Sequence, residues 1–390
     1  MPRNAPALPP APDAAGREHS ARVAAAIARA IDNAGGFLPF DRYLQMALYA
    51  PGLGYYVAGA RKFGAGGDFV TAPELTPLFG AALATQIAPI LAATSGREVV
   101  ELGAGSGMLA ADLLMALATR GTPAAHYRIV EVSAELKERQ RATIAARAPA
   151  ELARVEWSEG LPDKIDGAVL MNEVLDAIPA HLIARRGGRW QERGVKRHGE
   201  RFIAADRPLE DARLVAIATA RFPAQGDYAS EINPAAEALV ELIARRLISG
   251  AMLIVDYGFP RAEYYHPQRH EGTLMGHYRH HAHADPFLWP GLSDLTTHVD
   301  FTAMADAGAR AGLTVAGFAS QASFLLSCGL LDRLQAVGVP DSTAYLREAS
   351  AVQLLTSPAE MGELVKVLAL ARSDAVEWPG FAQGDRSHRL

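Results

Sequence analysis

The chain has 390 residues, 49% of them hydrophobic, with a formal net charge of −5 and one cysteine. This is enough apolar material for one elaborated domain or two modest ones, and the acidic balance argues against a nucleic-acid groove over much of the surface. The lone Cys328 excludes an internal disulfide framework and a multi-cysteine zinc site; it fits a reducing compartment and reads as a small buried hydrophobe.

Residues 1–16 open on a proline-rich stretch and read as a disordered tail. The Ala- and Arg-rich segment that follows predicts a helix from Glu18 to Asn33; its acids Glu18 and Asp32 argue against a cleaved mitochondrial leader, so the expected location is cytoplasmic. No apolar run reaches membrane-spanning length. A second helix is expected near Asp41, its candidate N-cap. A loop dense in Gly and Pro comes next, carrying Gly67, Asp68, Thr71 and Pro73 before a helix Leu78 to Ala92. It can fold over a ligand or simply connect. Residues 17–95 are thus assigned to a helical cap with a lid loop.

From Glu98 strands and helices alternate: strand 98–102, helix 108–119, strand 127–132, helix 134–147, strands 153–157 and 166–171. This is the pattern of a parallel sheet covered on both faces, an α/β core over 96–258. Residues 181–206 interrupt it with two strand-like runs, an inserted hairpin rich in Arg. Those charges either dock an acidic partner or protect a strand edge. A helix Pro234 to Ile248 then leads into the apolar strand Ala251 to Asp256. Residues 259–390 hold a histidine-rich loop, inserted helices between Ser323 and Met361, and the last two strands, Leu313 to Phe318 and Val365 to Ala371, expected antiparallel to each other.

The turn Glu101-Leu102-Gly103-Ala104-Gly105-Ser106-Gly107-Met108 carries the chemistry. Three glycines at alternate positions let a strand turn into a helix and let a ligand approach the main chain. Met108 occupies the third small position of a dinucleotide fingerprint, and no Lys-Ser/Thr pair makes a P-loop. What remains resembles the first motif of S-adenosylmethionine-dependent methyltransferases, with Glu101 near the methionine end and Gly103, Gly105 and Gly107 beneath the ligand. Glu131, ending the next strand, supplies a carboxylate for a ribose diol, and Val132, Asn172 and Glu173 join the cofactor-binding candidates together with Gly67, Asp68, Thr71 and Pro73 of the loop.

Ligands of open α/β sheets bind at the carboxyl ends of strands. After the fourth strand, Glu173 and Asp176 stand one helical turn apart, either as a carboxylate pair for a cationic acceptor such as guanidinium or as caps of a helix N-terminus. In Asp294 to Phe301 a helix entrance is expected, with Asp300 or Thr296 capping and His298 available for proton transfer. His266, His270, His277, His280, His281 and His283 are irregularly spaced without cysteines, so no metal site is assigned.

Several longer motifs, LYAPGLGYY, GDFVTAPELTPLFG, VELGAGSG, MNEVLDAIPAH, IVDYGF, GTLMGHYRHH, DLTTHVDF and MGELVKVL, occur in the order seen in the MidA-like methyltransferase family. They span residues 36 to 370, and the chain resembles that family, which includes a mitochondrial complex I assembly factor regarded as a protein arginine methyltransferase. Where the family tends to have Phe before Lys-Val-Leu, this chain has Val365. The resemblance implies a class I (Rossmann-like) fold with a seven-stranded, mostly parallel sheet, an N-terminal helical cap and inserted C-terminal helices. It also implies S-adenosylmethionine as cofactor, S-adenosylhomocysteine as product, and methylation of a protein side chain, arginine favoured, in support of respiratory complex assembly. A non-catalytic client-binding protein on the same fold is the alternative, a nicotinamide-dependent oxidoreductase a weaker one, and a homodimer stays open.

Overall fold

The computed structural model describes residues 9–58, 71–340, 342–372 and 376–390. It divides into two units, each assembled from three separate chain segments. One comprises residues Val70–Leu175, Glu237–Pro260 and Val299–Leu390; the other comprises Met1–Phe69, Asp176–Ala236 and Arg261–His298.

The first unit is built on a mixed sheet in the order Val155–Ser158, His126–Val130, Glu98–Leu102, Ile165–Asn172, Leu247–Phe259, Val365–Ala371, Thr314–Ser320. The first five strands pair in parallel; Val365–Ala371 runs antiparallel to both its neighbours. An eighth, two-residue strand, Val299–Asp300, pairs with Gly258 and Phe259. The expected seven-stranded sheet therefore has eight strands; a two-residue strand is too short to leave a periodic signal.

Central strands buried on both faces read as apolar runs: Ala168 to Met171 and Ala251 to Ile254 are all 0% exposed. Helices Pro77–Ala92 and Met108–Thr119 supply Leu83, Ile87, Leu113 and Leu114 to the same core. Cys328 is buried there as a small hydrophobe, and desolvation pushes its thiol up to about 12.

The second unit opens with helix Ala14–Asn33, capped by the Asp13 carboxylate, which accepts from Gly16 N at 2.8 Å. In the following helix, Phe40–Tyr49, Asp41 lies in the first turn and does not cap. Pro39, whose ring fixes φ, occupies the cap position instead. These helices pack Ile27, Tyr43, Leu44 and Leu48 into a core of their own. Residues 181–208 form three antiparallel strands, His181–Arg186, Arg189–His198 and Arg201–Pro208, where two runs were expected. Three of their arginines are ion-paired: Arg193 with Asp206 at 2.9 Å, Arg197 with Asp32 at 2.7 Å and Arg207 with Glu192 at 2.6 Å.

Among the described residues, no helix is long and apolar enough to cross a membrane.

Candidate cofactor and acceptor site

Strand Glu98–Leu102 ends in a turn whose Gly103, Gly105 and Gly107 all take left-handed φ, at 64°, 54° and 84°. Gly107 is the N-cap of helix Met108–Thr119. A Cβ there would lie 2.9 Å from the Cα of Gln140, so glycine is required by space as well as by φ. Ser106 donates its hydroxyl to Glu74, a residue of the short helix Ala72–Leu75 that Thr71 precedes and in which Pro73 is buried. Gly67 and Asp68 lie outside the described residues.

A residue missed in the sequence organises this turn. Gln140 is 0% exposed; its amide donates to the Gly105 carbonyl and to Glu131 Oε2, each at 3.1 Å, and its oxygen accepts from Trp157 Nε1 at 3.0 Å. Its signal was available: Gln140 sits four residues before Ile144, and these two are the buried residues of an otherwise polar helix. A polar residue on an apolar stripe needs internal partners.

Glu131 Oε1 accepts from Ser133 N at 2.9 Å. A carboxylate offers about four lone-pair sites, so two protein bonds leave capacity for a ribose diol. Beside it Val132 is 67% exposed, an apolar surface suited to a flat heteroaromatic ring. The glycine turn, the carboxylate and the exposed valine fit an adenosine-containing cofactor. Glu101 is 2% exposed and accepts the Tyr127 hydroxyl at 2.7 Å; burial raises its carboxyl to about 7 against that hydrogen bond.

After strand Ile165–Asn172 the chain does not enter a helix, so Glu173 and Asp176 are not one helical turn apart and cap nothing there. Glu173 instead takes φ 52°, an uncommon conformation for a residue with a side chain. Asp256, 0% exposed, imposes it: Oδ2 accepts from Val174 N at 3.2 Å and Leu175 N at 2.9 Å, while Oδ1 accepts from Tyr257 N. Glu173 N donates to Val255 O at 2.8 Å, and Asn172 Nδ2 reaches Glu173 Oε1 at 3.4 Å. Asp256 interrupts the apolar run Ala251 to Val255 within strand Leu247–Phe259, and a charged residue in such a buried run was the clue to its partners.

In the second unit the Asp176 carbonyl accepts from the N–H of Thr297, the residue before His298, at 3.0 Å. His298 N donates to the Thr273 hydroxyl at 3.0 Å, and its carbonyl accepts from the Tyr264 hydroxyl. Both of those hydroxyls also donate to Glu231, a carboxylate 1% exposed that accepts from Thr273 N and Leu274 N at 2.8 and 2.9 Å. Close by, Tyr49 and Tyr56 stack at 5.3 Å; Tyr56 donates to Asp294 at 2.7 Å and Tyr49 to the Ala177 carbonyl at 3.0 Å. Burial, then the Asp294 and Asp176 charges, raises both phenols. Asp300 caps helix Phe301–Arg310 through Ala303 N; Thr296 lies in strand Asp294–Thr296 and does not cap. Among the described residues the loop histidines do not gather into a three-ligand group.

A family described as "Putative S-adenosyl-L-methionine-dependent methyltransferase" matches residues 82–319, across the glycine turn, Glu131, Glu173 and Asp256. The chain belongs to this methyltransferase family. The family's cofactor is S-adenosylmethionine, in keeping with the adenosine-type cradle.

The relatives extend the likeness over most of the chain. A Burkholderia thailandensis protein solved bound to S-adenosyl-homocysteine is 47% identical, with a TM-score of 0.94, covering 98% of this chain and 100% of that one. The protein arginine methyltransferase NDUFAF7 of mouse mitochondria is 29% identical, covering 86% of this chain and 81% of its own. Its Drosophila melanogaster homolog is 30% identical, covering 86% and 82%.

Proposed function

We propose that this class I methyltransferase transfers a methyl group from S-adenosylmethionine to a protein side-chain nitrogen, with arginine the favoured acceptor. The observation that carries the reading is Glu173, an acid fixed in a left-handed turn by Asp256 at the carboxyl end of the strand beside the glycine cradle. The relatives named as protein arginine methyltransferases support the acceptor class, and by the same resemblance the methylated protein would be a respiratory subunit.

The bound cofactor supplies an electrophilic methyl on a sulfonium. Gly103, Gly105 and Gly107 would admit it to the main chain, Glu131 would accept from the ribose hydroxyls, Val132 would offer its apolar surface to the adenine, and Glu101 and Asn172 would serve the methionine end. Thr71 and Pro73, at the start of the helix whose Glu74 accepts from Ser106 of the turn, would flank it. Glu173 holds the guanidinium by charge and hydrogen bonds so that a nitrogen lone pair is aligned with the methyl, and alignment of this kind contributes most of the acceleration. Asp176 is the second carboxylate for the acceptor, and His298 takes the proton that the nitrogen loses.

The test is calorimetric titration with S-adenosylhomocysteine of the parent protein and of Gly105→Val, followed by labelled methyl transfer into lysate protein and analysis for methylarginine. Binding lost in the variant, with label recovered in methylarginine, is the expected result. Binding without transfer would favour the client-binding alternative, and no binding would remove the cofactor assignment for this chain.

A further inference from the structure

In the second unit, three ligand-type side chains from three different elements meet, none of them among the residues proposed for the cofactor or the acceptor. Asp41 comes from the first turn of helix Phe40–Tyr49, His181 from the start of strand His181–Arg186, and Glu192 from strand Arg189–His198. Ile183 pairs with Glu192 across the two strands, so His181, two residues earlier, is its diagonal neighbour on the same face. One ligand atom of each lies within 4.8 Å of the others. The side chains are largely shielded, at 18%, 27% and 12% exposure.

The decisive detail is the pair Asp41 Oδ1 and His181 Nδ1. These atoms face each other at 3.5 Å, both are buried, and neither makes a hydrogen bond. A carboxylate oxygen facing an imidazole nitrogen in this way calls for either a proton on that nitrogen or a cation between the two. A shared proton would draw them to about 2.9 Å. A tetrahedral ion with bonds of about 2.0–2.1 Å would hold its ligands roughly 3.3 Å apart, close to the observed gap. The third carboxylate completes a set a proton cannot use. Arg42 lies beside Asp41 Oδ2, not Oδ1, at 3.7 Å, and Arg207 holds Glu192 through Oε2. These guanidiniums moderate the affinity for a cation without occupying the gap.

We propose that Asp41, His181 and Glu192 bind a divalent first-row transition ion, Zn2+ by preference, with a fourth position open to water. One imidazole and two carboxylates suit such an ion. Binding needs His181 Nδ1 deprotonated, so a proton on that atom is released to solvent as the ion enters. The ion would cross-link a helix to a sheet within this unit, and the inference stands independently of the methyltransferase reading.

The experiment titrates tag-free, metal-stripped full-length protein with Co2+, whose visible absorption reports a low-coordinate site, and repeats it on His181→Ala, on the near-isosteric Asp41→Asn, and on a His280→Ala/His281→Ala control. The expected result is one equivalent of Co2+ displaced by Zn2+, affinity at least about tenfold weaker in the first two variants and unchanged in the control. Zn2+ should also raise the Tm of the parent but of neither ligand variant. Absence of uptake, uptake unaffected by both ligand variants, or uptake lost only in the loop-histidine control would overturn the assignment.

Discussion

The Gln140 amide lies 3.1 Å from the Glu131 carboxylate, and the same nitrogen donates to the Gly105 carbonyl. One buried side chain therefore joins the glycine turn to the acid that follows the next strand. Gln140→Leu keeps the volume and removes every polar partner, leaving the Trp157 indole N–H and one side of Glu131 unsatisfied. The expected cost is about 2–4 kcal/mol in urea unfolding, with roughly tenfold weaker S-adenosylhomocysteine binding. Undiminished affinity in a destabilised variant would reduce Gln140 to a purely structural role.

Gly107 packs on the backbone of the same residue. Gly107→Ala must hold φ near 84° with a Cβ 2.9 Å from the Gln140 Cα. Left-handed strain alone is worth about 1–2 kcal/mol, and the displaced helix adds to it. A drop in Tm together with loss of cofactor binding is expected; a variant as stable as the parent would show that the turn can relax.

Of its two expected roles, cofactor binding and acceptor orientation, Glu173 is proposed to serve chiefly the second. Glu173→Gln should bind S-adenosylhomocysteine within about twofold of the parent while transfer falls by about 10²-fold or more. Equal losses of binding and turnover would contradict that division of labour.

Glu101 makes stability depend on pH. Its carboxyl stands at about 7 in the folded protein against an ordinary 4.5, because burial outweighs the Tyr127 hydrogen bond. Between those values the unfolded chain has released the proton and the folded protein retains it, so stability falls as pH rises from about 4.5 to 7, by up to about 3 kcal/mol, and stays lowered above 7. Glu101→Gln, which cannot ionise, should flatten this slope. The check is urea unfolding of parent and variant across that pH range; parallel curves would mean that Glu101 does not carry the dependence.

The alternation of strands and helices from Glu98 to Asn172 was legible because strands covered on both faces must be apolar throughout, and the turn at Gly103 to Gly107 was legible because a left-handed backbone leaves glycine at fixed spacing. Both are local constraints, written into neighbouring residues.

The conformation of Glu173 was not legible. Its left-handed φ depends on the Asp256 carboxylate, which accepts from the two backbone N–H groups that follow Glu173 and comes from another strand far along the chain. The spacing of Glu173 and Asp176 therefore suggested a helix that the tertiary structure replaces with an acid-bound turn. The same reason hid Gln140, Glu231 and the meeting of Asp41, His181 and Glu192. The sequence by itself determined the strand–helix alternation from Glu98 to Asn172, the family and the cofactor turn. Only the tertiary structure decided which polar side chains are buried together, because a buried polar group must find its partner in space, and that partner lies on a different element of the fold.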